Sequence, residues 1–168
     1  RDIVVTPGNY GEAFAREKLG LSLARWCTCS NYIGAAIDHA AGLGFRSLLL
    51  VGHIGKLCKV AAGVMNTHSR LADCRMEILV AHATVQGADQ VLCRRLMEVA
   101  TVDAGIALLE EAGLRRPVMA SLMAAIQTHL ERRAGGVFQV GAVMFSNEYG
   151  LLGQTRQAEE LLSRWRSA

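Results

Sequence analysis

A chain of 168 residues, 51% hydrophobic and 20% charged, has room for one domain with a sizeable core and lacks the composition of a disordered segment. A net charge of +3 and an aromatic content of 5% argue against a nucleic-acid partner, which would want a strong basic patch or a base-stacking platform. No apolar run is long enough to cross a bilayer, so no membrane partner is expected. The five cysteines form no C-x-x-C pair, which predicts reduced thiols in a cytoplasmic protein.

The opening RDIVVTPG has neither an initiator methionine nor a basic leader, so the chain is expected to be part of a longer one. A first strand is predicted over 2–6, ended by Thr6-Pro7-Gly8. The helix after it carries Glu12, Phe14, Ala15 and Leu19 and stops at Gly20. A weaker strand over 23–29 ends in Ser30-Asn31. Ile33, Ala36, Ile37 and Ala40 then recur at helical spacing as far as Gly44. The third strand, 47–52, is the most apolar, as a central strand should be, and the helix after it places Leu57, Val60 and Ala61 on one face. Strands alternating with helices predict an α/β domain over 1–168, a three-layer Rossmann-like arrangement with these strands parallel.

From about 73 to 134 the pattern turns helical. Met76, Leu79, Val80 and Ala83 form one apolar stripe; Val91, Leu92, Leu96 and Val99 form the next. Asp103 is expected to N-cap a further helix, and Pro117 to sit in the first turn of a long one closed by Gly135-Gly136. A returning strand is predicted at about 137–145. SNEYGLLGQT reads as a loop, and Gln157 to Trp165 as a last amphipathic helix. Met119 and Met123 read either as core or as the face of a homo-oligomer.

In an open parallel sheet, ligands bind beyond the carboxyl ends of the strands. There this sequence places TPGNYGE, CSNYIG and GHIGK, three polar turns whose glycines let backbone approach a ligand. GHIGKL is two residues short of a phosphate loop and has Leu57 where a magnesium-binding hydroxyl is required. No G-x-G-x-x-G opens any helix. MNTHSR gathers Asn66, Thr67, His68, Ser69 and Arg70 without apolar periodicity. It reads as a substrate-facing loop, or else as a network capping the helix from Asp73 onward. Arg70 and Arg75 suit carboxylates, and Lys56 and Lys59, three apart on one helical face, would act as point charges. His82 reads as a satisfied core histidine. His39, His129 and the pairs Arg94-Arg95, Arg115-Arg116 and Arg132-Arg133 read as solvated. No histidine, cysteine and acid cluster has metal-ligand spacing, so no protein-bound metal is expected. These residues alone reach an α/β domain with a polar cleft at the strand carboxyl edge; one reading of it is a binding module for a nucleotide or another anionic small molecule.

TPGNYGE, CSNYIG and above all LLLVGHIGKLCKVAAGVMNTHSRLADCRMEIL resemble, in order and spacing, the cobalt-precorrin-5B C1-methyltransferase family of anaerobic cobalamin biosynthesis; FSNEYGLLGQT is similar too. The resemblance covers essentially this whole chain and the C-terminal half of the family's usual length. It implies transfer of a methyl group from S-adenosylmethionine to ring carbon C-1 of a cobalt-containing tetrapyrrole rich in carboxylates. The cobalt would belong to the substrate. On that reading Gly8, Asn9, Gly11, Ser30, Asn31, Gly52 and Gly55 line the cofactor side. Lys56, Lys59, Asn66, Thr67, Ser69, Arg70 and Arg75 face the substrate. His53, and after it His68, would remove a proton.

Overall fold

The computed structural model describes residues 1–22 and 24–166. Its first half alternates as the sequence predicts: β1 (Asp2–Thr6), α1 (Asn9–Glu17), β2 (Trp26–Thr28), α2 (Ile33–Gly42), β3 (Ser47–His53) and α3 (Ile54–Val60). The predicted second strand is longer than the observed one, and Leu23, where it was to start, lies outside the described residues. Four helices follow: α4 (Arg75–Val85), α5 (Gln90–Glu98), α6 (Val102–Glu111) and α7 (Arg115–Ala134). The chain ends with β4 (Gln139–Ser146), β5 (Gly150–Gln154) and α8 (Arg156–Arg166).

The strands lie in the order β2-β1-β3-β4-β5. The first three pairings are parallel and β5 is antiparallel to β4. Side chains alternate between two cores, as the pleat requires. Val5, Leu48, Leu50, Val140, Ala142 and Met144 face the larger core under α2 to α7. Val4, Leu49, Val51, Val143 and Phe145 face the smaller one under α1 and α8, where Phe14 stacks on Phe145 with ring centroids 4.2 Å apart. Gly141 lets α8 close on the sheet: a Cβ there would lie 2.5 Å from the Ala158 backbone nitrogen.

Three expectations need correction. SNEYGLLGQT is half strand, because β5 pairs with β4 beyond a turn at Asn147 to Tyr149 and Gly150 takes a φ of 68°. Thr101, not Asp103, N-caps α6, accepting from the Ala104 N–H at 3.2 Å; this frees the Asp103 carboxylate for another partner. Val91 is exposed, and only Leu92 and Leu96 of its stripe are buried in α5. Met119 and Met123 are core: Met123 fills the space over Gly153 of β5. Arg132 and Arg133 are exposed, as expected, and the Arg133 guanidinium forks onto Asp38 of α2. Among the described residues no helix is long and apolar enough to cross a membrane.

Candidate functional site

The carboxyl ends of β1, β2 and β3 meet at a cleft of about 440 Å³. Lys56, on α3, draws its walls together. Its Nζ donates to the Pro7 carbonyl after β1 at 2.8 Å and to the Ser30 carbonyl after β2 at 3.3 Å. An ammonium has three N–H donors, so one remains for a ligand. Burial lowers the Lys56 pKa. Ser30 has a left-handed φ of 52°, unusual for a residue with a Cβ, and offers its carbonyl rather than its side chain.

Lys59 is differently placed. It is 1% exposed, and its Nζ donates to the Thr67 carbonyl at 3.1 Å, Ser69 Oγ at 3.3 Å and the Ala72 carbonyl at 2.8 Å. Those three acceptors use all three donors. The expected surface charge on a shared face with Lys56 is thus a buried clip that folds the Thr67 to Asp73 segment over α3. The alternative reading of MNTHSR, a network capping the next helix, does not hold: α4 starts at Arg75, and its N-cap residue Cys74 makes no side-chain cap bond. The loop is held instead by Lys59, by a bond from Thr67 N to the Asn31 carbonyl, and by Asn66 Oδ1 accepting from His68 N.

His53 ends β3 and caps α3. Its Nδ1 accepts the Gly55 N–H at 3.1 Å, and its ring meets Phe145 edge-to-face at 5.7 Å. Burial lowers its pKa; Asp103, on α6, opposes that. His68 repeats the arrangement in the neighbouring loop, where its Nδ1 accepts the Arg70 N–H at 3.1 Å. Both rings line the cleft.

Among the described residues no aspartate or glutamate lines the cleft, while Lys56, Lys59 and Arg75 do. The nearest acid to this trio, Asp73, is engaged by Arg75 through two bonds at 2.7 and 3.1 Å, which hold its carboxyl below the usual range. Asp103 accepts from Ser146 Oγ at 2.5 Å, and the same hydroxyl accepts the Glu148 and Tyr149 N–H groups. That knot shapes the β4–β5 turn, which brings Asn147 to the cleft. Among the described residues no group of histidine, cysteine and acidic side chains could hold a metal ion.

Of the residues singled out from sequence, Gly8, Gly11, Asn31, Gly52, His53, Gly55, Lys56, Lys59, Thr67, His68, Ser69 and Arg75 all line this cleft. Asn9, Ser30, Asn66 and Arg70 lie outside its lining; Arg70 is exposed, and Asn66 and Ser30 act through the bonds above. Pro7, Tyr10 and Asn147 also line it, beyond the candidate site residues named from sequence. Pro7 and Tyr10 sit inside TPGNYGE and could have been found there. Asn147 arrives only because β4 runs parallel to β3, which sequence spacing does not state.

Residues 66–156 match the family model described as "CbiD, C-terminal domain". The chain is 44% identical over 144 residues to a cobalt-precorrin-5B C(1)-methyltransferase of Ruminiclostridium cellulolyticum, covering 86% of this chain and 38% of that protein. It is 39% identical over 166 residues to the protein of that name from Photorhabdus laumondii, covering 98% and 44%. A Listeria monocytogenes protein of the same name is 36% identical over 166 residues, again covering 98% and 44%. The chain therefore spans less than half the length of these relatives. No solved structure matches it. The family match over more than half of the chain, with relatives 36–44% identical, shows that this chain belongs to the CbiD family and carries its C-terminal domain.

Proposed function

We propose that this chain supplies part of the site that transfers a methyl group from S-adenosylmethionine to ring carbon C-1 of cobalt-precorrin-5B. The observation that carries this reading is the acid-free, cationic cleft at the strand ends, which suits a macrocycle bearing many carboxylates. The names of the relatives support the reaction. A cleft of about 440 Å³ receives one carboxylate-bearing edge of such a ring, or the methyl donor, and not the whole ring.

The donor has a carboxylate, two ribose hydroxyls and a sulfonium. The third N–H of Lys56 and the Asn31 amide fit the first two, and a Cβ at Gly8 would meet nothing within 4 Å, which leaves room for a close approach. When bound, S-adenosylmethionine supplies an already electrophilic methyl carbon. The work left to this chain is alignment and exclusion of water. Arg75 keeps free N–H groups beyond those given to Asp73 and would hold a substrate carboxylate, with Thr67 and Ser69 beside it. Asn66 and Arg70 would act at the rim.

The test is a chimera. This chain replaces the matching segment of the Ruminiclostridium cellulolyticum relative, and product formed from cobalt-precorrin-5B is read by mass. A product one methyl group heavier is expected. A folded chimera that binds S-adenosylhomocysteine and forms no such product would overturn the reading.

A further inference from the structure

The geometry points to His53 and His68 as a matched pair of neutral hydrogen-bond donors, each aiming Nε2–H at a carboxylate of the ligand. This rests on the reading that the cleft receives the carboxylate edge of the macrocycle.

The two rings are built alike. Each occupies a strand-end or loop position two residues before the backbone N–H that its Nδ1 accepts, Gly55 for His53 and Arg70 for His68, both at 3.1 Å. A neutral imidazole has one lone pair and one N–H. With Nδ1 committed as acceptor, the proton resides on Nε2. Among the described residues Nε2 of neither ring has a partner, and both rings line the same cleft. The free nitrogen is therefore a donor.

A general base needs the opposite arrangement, with its lone pair toward the proton it removes. Taking up a proton at Nδ1 would set two N–H groups against each other and release the α3 cap at His53. The roles expected of these residues as bases thus give way to recognition. Two neutral donors also suit a cleft that already holds Lys56, Lys59 and Arg75, because they add directional bonds without adding like charge.

Two substitutions at each histidine separate the two nitrogens. Asparagine keeps an acceptor near the Nδ1 position, and with it the backbone bond, but lacks the distal donor. Glutamine keeps a distal N–H donor and lacks the near acceptor. Binding is read by titrating the folded chain with uroporphyrin, a tetrapyrrole octacarboxylate. His53→Asn and His68→Asn are expected to weaken binding roughly tenfold to a hundredfold, and His53→Gln and His68→Gln to retain most of it. Long-range ¹H–¹⁵N spectra of the unsubstituted chain are expected to show both rings as Nε2–H tautomers. Nδ1–H tautomers, or asparagine variants that bind as well as the unsubstituted chain, would overturn the donor pair while leaving the carboxylate cleft standing. No uroporphyrin binding by a chain with Nε2–H tautomers would overturn both.

Discussion

The Nζ of Lys59 lies 2.8 Å from the carbonyl oxygen of Ala72, inside the protein and thirteen positions along the chain. With the Thr67 carbonyl and Ser69 Oγ it forms a closed donor set, and it stands 3.8 Å from Asp73 at the rim. Lys59→Met fills the same space and removes every donor. The buried Thr67 carbonyl and the half-buried Ala72 carbonyl would lose their partner, so a loss of about 2–3 kcal/mol is expected by chemical denaturation. A loss no greater than that of an exposed lysine would show that water satisfies the loop.

Gly11 sets how closely α1, and with it the Pro7-Gly8 turn, lies on the sheet. A Cβ there would sit 2.5 Å from the Val51 carbonyl oxygen and 2.8 Å from Thr6 Cβ, both fixed atoms. Gly11→Ala is expected to cost about 1–3 kcal/mol. It should also weaken ligand binding, because the displaced helix carries one wall of the cleft. Calorimetric unfolding and a uroporphyrin titration on the same sample check the two effects together.

Acid should act through His53. Its folded pKa is lowered from 6.5, chiefly by burial, so the unfolded chain takes up the proton first. The stability linked to this group is complete above pH 6.5 and is lost as pH falls below that value toward the lower folded one. Between about pH 7.5 and pH 5.5 the unsubstituted chain should lose more stability than His53→Asn, which keeps the cap and cannot titrate. Equal losses would place the acid sensitivity elsewhere, with His82, also lowered by burial, as the next residue to change.

Ser146→Ala removes the acceptor of the Glu148 and Tyr149 N–H groups and the donor to Asp103. A loss of about 1–2 kcal/mol is expected, with faster hydrogen exchange at those two amides. Unchanged exchange there would mean that β4–β5 pairing alone shapes the turn that carries Asn147.

What could be read in advance follows from what each signal measures. The apolar run Ser47 to Val51 and the turns after β1, β2 and β3 are local patterns, and the parallel order of the strands turns them into one cleft. β5 escaped because GLLGQ has two glycines and no β-branched residue; its strand state comes from pairing with β4 and from Met123 packing on Gly153. The burial of Lys59 is not legible because helical spacing gives the direction of a side chain and not what folds over it. The Thr67 to Asp73 segment buries it, and no periodicity reports that. Thr101 and Asp103, two positions apart, are both acceptable caps by residue type; Thr101 takes the cap, and the bond from Ser146 decides what Asp103 does instead.

The central claim is that the strand-end cleft receives carboxylates of a tetrapyrrole. The most direct measurement is a ¹H–¹⁵N correlation titration of the chain with uroporphyrin. Shifts clustered at Gly8, Asn31, Gly55, His68 and Ser69 are the predicted result. Shifts confined to another surface, such as the apolar groove between Ile3, Tyr32 and Leu43, or no shifts from a folded chain, would contradict it.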